Sequence, residues 1–224
     1  MGLDSYLNKM PRYKNATASD VSNVEHYLDW IKAKIEGSKY GNCTFKEWCG
    51  CDDVPPQEYI DFYSNYYRVY YSDWDKEHKH PWTGIMTEAG YWRKANQIHN
   101  WFVENIQDGE DDCSYHREVT KEDLEELMDI CHEVICSCEL VDGEIFCGYT
   151  YEGGKRIPNI EQCKYVEDPS VAEELLPSTS GFFFGSTAYD EYYVKDLRNT
   201  IDIITKILET TDFDKEMIYY ISSW

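Results

Sequence analysis

Arg93, Lys94, Asn96, His99 and Asn100 crowd one short stretch of the chain and bring two cations, two amides and an imidazole close together. If that stretch is helical they occupy about two turns, with Arg93, Asn96 and Asn100 on one stripe by i+3 and i+4 spacing. His99 is the member able to act as acid, base or hydrogen-bond donor near neutral pH. Carboxylates for it to work with stand at Asp111, Asp112 and Asp190, and hydroxyls at Ser180, Ser186 and Thr187. Arg93 and Lys94, together with backbone amides at Ser186-Thr187 where a helix is expected to begin, make an anion or nucleotide pocket. On that reading the ligand site comprises Arg93, Lys94, Asn96, His99, Ser186, Thr187 and Asp190. The same residues have a plainer reading: Ser186 or Thr187 caps the last helix, Arg93 pairs with a surface acid, and His99 is hydrogen-bonded in the core. No spacing that belongs to a known chemistry separates the two, so the balance falls on the plainer one.

Catalytic signatures are missing. The chain has no G-x4-G-K-[ST] phosphate loop, no G-x-S-x-G nucleophile elbow, no H-E-x-x-H and no dinucleotide fingerprint. Ser178-Thr179-Ser180 lacks the following Glu-x-Glu that ADP-ribosyltransferases pair with such a tripeptide. Nine cysteines, at 43, 49, 51, 113, 131, 136, 138, 147 and 163, are an odd number without a secretion signal, which predicts reduced thiols in a cytosol. Cys43, Cys49 and Cys51 form one cluster, and Cys131, His132, Cys136 and Cys138 a second. Neither has the paired C-x2-C spacing that lets two thiolates reach one zinc from a tight turn, so buried thiols are favoured over structural zinc and no cofactor is expected. A cysteine nucleophile is disfavoured too, since Cys113 follows three acids. His78, Lys79 and His80 read as a solvated loop. The balance falls against an enzyme.

Charge narrows the partners. Forty-three acidic against 21 basic residues in 224 give a net charge of −22. Direct binding to a nucleic-acid backbone is excluded as a main function, because that affinity comes from neutralising phosphates with Lys and Arg. Twenty Tyr, 8 Phe and 7 Trp exclude a disordered acidic chain. No apolar run is long enough for a signal peptide or a membrane span, so neither export nor a membrane role is expected.

These residues must be placed by a fold. A chain of this length suits one domain over residues 1–224 that buries roughly 70% of its unfolded surface. Leu3, Ser5 and Leu7 alternate with polar neighbours and predict a short N-terminal strand. Val21, Val24, Leu28, Ile31 and Ile35 predict a first helix, with Ser22 and Glu25 as its capping box and Gly37 as its stop. Residues 38–56 read as loop with one strand. Tyr59, Phe62, Tyr63, Tyr66, Tyr67 and Tyr70 predict a second helix with an aromatic stripe, core in the first instance and an interface in the second. Tyr91, Ala95, Ile98, Phe102 and Ile106 predict a third, with Arg93, Lys94, Asn96, Gln97 and Asn100 on its opposite surface. A fourth starts at Thr120, capped through Asp123, and runs to Ile135. Residues 140–166 predict a β-hairpin about Gly153-Gly154, Ser170–Leu176 a short helix, and Phe182-Phe183-Phe184 a buried strand or turn. A last helix is expected over 186–209, and Met217–Ile221 is a strand that would pair with the N-terminal one. Helices with few, scattered strands give an α+β fold, mainly helical, with a small sheet joining the two ends of the chain.

Three blocks carry a resemblance: Met1-Gly2-Leu3-Asp4, Gly90-Tyr91-Trp92-Arg93-Lys94-Ala95-Asn96-Gln97-Ile98-His99-Asn100-Trp101-Phe102, and the run from Leu176 to Asp190 with Ser180-Gly181-Phe182-Phe183-Phe184-Gly185-Ser186-Thr187 at its centre. In these, and in ending on a Tyr-Tyr strand followed by Ser-Ser-Trp, the chain resembles a family of proteins carried by bacteriophages and bacterial prophages. The resemblance brings no assigned activity. It implies a phage accessory gene, a class that often encodes inhibitors of host defence or modulators of host enzymes. Residues of about 38–85 and 132–165 fall outside the blocks and read as elaborations particular to this chain.

Charge and resemblance together set the leading expectation: an acidic phage-type protein in the cytoplasm of the bacterial host. It would inhibit a host defence system, such as a CRISPR or other nucleic-acid-targeting complex, by occupying the basic surface of a host protein or ribonucleoprotein. Tyr59, Tyr63, Tyr66, Tyr67 and Tyr70 would anchor the contact, with Asp73, Asp75, Glu77, Glu110, Asp111 and Asp112 around them. The alternative is a small-molecule or nucleotide-binding protein, enzymatic or sequestering, with its site around Arg93, His99 and Ser186.

Overall fold

The structure is a computed structural model and describes residues 2–50, 53–70, 82–181 and 183–224. At its centre lies a three-stranded antiparallel sheet in which β1 (Asp4–Pro11) is flanked by β4 (Thr87–Arg93) and β7 (Glu216–Ser223). Tyr6 lies opposite Tyr91 on one side and Ile221 on the other. The two ends of the chain are therefore paired, in an α+β fold. Met217, Ile218, Tyr219 and Tyr220 are all buried even though successive strand residues face opposite ways. The reason is that both faces are covered. Ile218 and Tyr220 join a core with α4 (Asn96–Ile106), α5 (Lys121–Ser137) and α7 (Glu191–Thr210), whereas Met217 and Tyr219 join a second core with α1 (Ala18–Ile35) and Tyr63.

β4 replaces the first turn of the helix expected from Tyr91. Gly90 and Trp92 are buried while Tyr91 and Arg93 are exposed, the period-2 pattern of a strand. Pairing with β1 overrides the helical spacing that Tyr91 shares with Ala95 and Ile98. Arg93 and Lys94 thus precede α4, and Asn96 and Gln97 are buried rather than on an outer surface. α1 starts one turn earlier than its expected cap: Thr17 and Asp20 form the capping box. Glu25 instead accepts hydrogen bonds from the backbone N–H of Ile85 and Met86. Gly37, at φ +67°, follows that helix as expected.

The 38–56 segment holds a short 3-10 turn and α2 (Phe45–Cys49), with no strand among its described residues. The tyrosine helix is short, α3 (Gln57–Tyr63), and Tyr70 lies on β2 (Arg68–Tyr70), which pairs with β3 (Trp82–Gly84). Thr120 and Asp123 cap α5 as expected. β5 (Leu140–Glu152) and β6 (Lys155–Val166) form the expected hairpin, turned by Gly153 and Gly154, both at the positive φ that a tight primed turn requires. α6 (Ser170–Leu175) follows, then a stretch of turns rather than a strand at 183–185; Phe182 lies outside the described residues. α7 begins later than expected. Asp190, not Ser186 or Thr187, is its cap and accepts from the N–H of Tyr192 and Tyr193.

Candidate functional site

The segment between α6 and α7 is laid over α4 by one buried side chain. Asn96 donates through Nδ2 to the carbonyls of Phe184 (3.2 Å) and Ser186 (2.8 Å), and its Oδ1 accepts from Thr179 N–H at 2.8 Å. The N-terminus joins the same place: Lys94 N–H donates to Leu3 O at 2.8 Å, and Leu3 N–H to Phe183 O at 3.2 Å. Residues near 3, 94 and 184, the three blocks that carry the resemblance, thus meet in space.

Two cavities flank this junction. The first, of about 300 Å3, is walled by Arg93 and Lys94 from the end of β4, Gln97 from α4, Ser178 and Ser186 from the crossing segment, and Asp190 and Asp196 from α7. Lys94 sits in left-handed backbone at φ +61°, a conformation that costs a non-glycine residue about 1 kcal/mol or more and persists only where its surroundings hold it. Here they do so through the Leu3 carbonyl, which accepts from its N–H, and through Gly185, where an added Cβ would come within 3.1 Å of the Lys94 Cβ. Among the described residues no carboxylate pairs with Lys94, and Arg93 reaches only Asp4, at 3.9 Å. Ser178 Oγ is buried with no hydrogen-bond partner among the described residues. Burial pushes the Asp196 carboxyl up to about 6, with the nearby Asp190 adding to the rise and the Gln97 amide, 3.4 Å away, opposing it. The cavity therefore offers two cations, Arg93 in a long contact with Asp4 and Lys94 with no carboxylate beside it among the described residues, together with one orphan hydroxyl and a carboxyl able to exchange a proton in mild acid, which is equipment for holding an anionic ligand.

His99 lines the second cavity, of about 340 Å3, with Asn100, Val103, Asp111, Thr179, Ser180, Phe184 and Trp224. Its Nδ1 is 2.7 Å from the Tyr220 hydroxyl and its Nε2 is 3.1 Å from Asp111 Oδ2. Tyr220 also hydrogen-bonds Ser5 Oγ, and Trp224 Nε1–H donates to Asp111 Oδ1 at 2.8 Å. A carboxylate only accepts, so the consistent assignment puts the imidazole proton on Nε2, facing Asp111, and lets Nδ1 accept from Tyr220. Burial lowers the His99 pKa, opposed by Asp111, and favours the neutral ring.

Four of the seven expected ligand residues, Arg93, Lys94, Ser186 and Asp190, thus line one cavity. Asn96 stands behind it as a positioning residue, His99 belongs to the neighbouring cavity, and Thr187 is exposed and lines neither. The helix N-terminus that was to supply amides at 186–187 is not there, because α7 starts at its Asp190 cap. Gln97, Ser178 and Asp196 also line the first cavity and are not among the expected ligand residues; Asp196 is unusual only through burial, which leaves no mark on residue type.

The expected partner-facing residues that the structure describes divide between core and surface. Tyr63 is buried and donates its hydroxyl to Pro11 O at 3.1 Å, so it cannot face a partner. Tyr59 is half-buried against Tyr13, Tyr67 bonds Asp29 at 2.5 Å, and Tyr66 is exposed. The Tyr70 side chain, Asp73, Asp75 and Glu77 lie outside the described residues, as do His78, Lys79 and His80. Glu110 and Asp112 are exposed, Asp112 bonding His116, while Asp111 is committed to His99 and Trp224.

Among the described residues no group of three His, Cys, Asp or Glu side chains is placed to hold a metal ion. Cys131 is buried, and its thiol is pushed up to about 12, well away from a reactive thiolate. The side chains of Cys51 and Cys147 lie outside the described residues. Among those described, no helix is long and apolar enough to cross a membrane. Comparison with protein-family models, curated proteins and solved structures finds no match.

Proposed function

We propose that the protein binds a small anionic molecule, of the phosphorylated or nucleotide class, in the cavity between Arg93, Lys94 and Asp196. The observation that carries this reading is the joint placement of two cations and the buried, unpartnered Ser178 hydroxyl on one concave surface. A guanidinium and an ammonium side by side suit an oxyanion, the first by a bidentate fork and the second as a point charge. The attraction has to be local, because a chain of net charge −22 repels anions at long range. Binding, by sequestration or sensing, is the activity proposed; no step of turnover is assigned.

Calorimetric titration with AMP, inorganic phosphate and citrate tests it. At least one of the three should bind saturably, and Arg93→Ala and Lys94→Ala should each weaken that binding about tenfold, some 1.4 kcal/mol, with the far-ultraviolet circular dichroism unchanged. No binding by any probe, or equal binding by the double variant, overturns the proposal.

A second reading is favoured by α5, where Glu122, Glu126, Asp129 and Glu133 recur at steps of 4, 3 and 4 and are all exposed. That stripe, on a helix of 17 residues or about 26 Å, supports the acidic phage-type inhibitor that covers the basic surface of a host defence protein or ribonucleoprotein in the bacterial cytoplasm. Its test is capture from host lysate at low and high salt. A stoichiometric basic nuclease or nucleic-acid-targeting complex released by salt supports it, and the same capture by a variant with all four acids changed to Gln counts against it.

A further inference from the structure

The His99 cavity differs in chemistry from its neighbour. Among the described residues no Lys or Arg lines it. Asp111 supplies one carboxylate, 28% exposed, whose two oxygens already accept from His99 and Trp224 and retain lone pairs for a further donor. Phe184 and Trp224 supply aromatic walls with ring centres 6.0 Å apart at 70°, and Phe184 is itself held edge-on against His99 at 5.1 Å. Thr179 and Ser180 add hydroxyls. Asp111 is flanked in the chain by Glu110 and Asp112, both exposed.

The ligand that complements such a place is a flat cation rich in donors. Aromatic faces attract cations, most strongly when water is excluded, and a carboxylate beside them fixes the orientation. A guanidinium meets all three demands, being planar, weakly hydrated and forked, whereas an ammonium is a compact and strongly hydrated point charge. The net charge of −22 that opposes anions elsewhere raises the local concentration of cations here.

We propose that the cavity formed by His99, Asp111, Phe184 and Trp224 receives the guanidinium of an arginine side chain presented by a basic protein partner. The hydrogen bonds behind Asp111 preorganise it. His99 cannot swing without breaking its contact with Tyr220, and Tyr220 is in turn held at Ser5. The site does not depend on the anion cavity beyond Asn96, and it would supply the acidic-surface reading with a desolvated anchor where the buried Tyr63 cannot.

The test is heteronuclear NMR of the full chain, following the Trp224 indole N–H, assigned with Trp224→Phe, during titration with L-arginine amide and with L-citrulline amide. Citrulline keeps the shape and loses the charge. The expected result is a saturable shift with arginine amide, at least tenfold weaker with citrulline amide. Asp111→Asn, which keeps one acceptor oxygen for His99 or Trp224 and so shifts the starting position of the indole signal, should weaken the arginine affinity read from the titration at least tenfold, and Asp129→Asn on α5 should leave it unchanged. Equal responses to the two amides, equal effects of the two Asp variants, or no saturable shift with arginine amide would each overturn the proposal. Failure of AMP, phosphate and citrate to bind bears only on the anion cavity.

Discussion

Asn96 and Ser186 lie 90 positions apart in the chain and 2.8 Å apart in the fold, joined by a buried side-chain amide that donates to a main-chain carbonyl. The same amide holds Phe184 and Thr179, so one residue keeps the crossing segment between the two cavities. Asn is suited to this because it carries donors and an acceptor on a short stem. Asn96→Ala should orphan buried backbone groups and cost about 2–4 kcal/mol in urea denaturation. Asn96→Asp should be at least as costly, since it removes both donors and buries a charge beside two carbonyls. Hydrogen exchange at the Thr179 amide should accelerate in both variants. An unchanged exchange rate there would show that the segment is held by other contacts.

Asp196 gives the folded chain a proton that the unfolded chain has already released. Its carboxyl is pushed up to about 6, against about 4 for an unfolded aspartate, so stability falls as pH rises through that window and the deficit is complete above it. Because Asp196 is partly open to solvent, the deficit is expected to be about 1 kcal/mol. Asp196→Asn keeps an oxygen to accept from Gln97 and removes the charge. It should raise the melting temperature by about 2–4 °C at pH 7.5 and give no gain at pH 4. Equal gains at both values would point to packing instead.

His99 has the opposite slope. Burial lowers its pKa below the ordinary 6.5, so the unfolded chain takes up the proton first, and stability is lost as pH falls from about 6.5 toward the lowered value. In the Asp196→Asn background, which removes one opposing slope and leaves that of the raised Glu25 carboxyl, unfolding free energy should rise more steeply with pH toward about 6.5 than in the parent chain. Tyr220→Phe removes the hydroxyl that both Nδ1 of His99 and Ser5 Oγ contact, and should cost about 1–3 kcal/mol at pH 7.5. Urea titrations at several pH values check both expectations.

The sequence makes β1 and β7 legible because the short alternation at Leu3, Ser5 and Leu7 suits a strand, weakly by itself, and the apolar run from Met217 supplies its partner, while β4 stays hidden. Tyr91, Ala95, Ile98, Phe102 and Ile106 keep helical spacing across a boundary at residues 94–95, and what breaks the pattern is the pairing of Tyr91 with Tyr6, a contact across the chain. The last helix is misplaced at its start for a similar reason. Ser186, Thr187 and Asp190 are all good caps, and only the fold selects Asp190. In the candidate site, Arg93, Lys94, Ser186 and Asp190 are readable from residue type, since cations, hydroxyls and acids announce their chemistry. Ser178 and Asp196 are not, because an orphaned hydroxyl and a raised carboxyl are products of burial. Within the tyrosine segment Tyr63 is taken up by the second core, and the helical spacing it shares with the exposed Tyr66 does not tell the two apart.

Gly181 places a last constraint on the two cavities. A Cβ built there would lie 2.4 Å from Cγ of Phe184, nearer than side chains approach one another, and the atom in the way is the root of the ring and not a flexible tip. Phe184 in turn is 8% exposed and packs on both His99 and Trp224, so it has little room to retreat. Gly181→Ala should therefore displace the ring at a cost of about 1–3 kcal/mol, the range for overpacking. The displacement should alter the Trp224 environment, read as a change in its indole N–H chemical shift, while anion binding at Arg93 and Lys94 falls less than in Asn96→Ala, because Gly181 lines only the His99 cavity. An equal loss in both variants would mean that the crossing segment moves as one piece, and that the two cavities cannot be occupied independently.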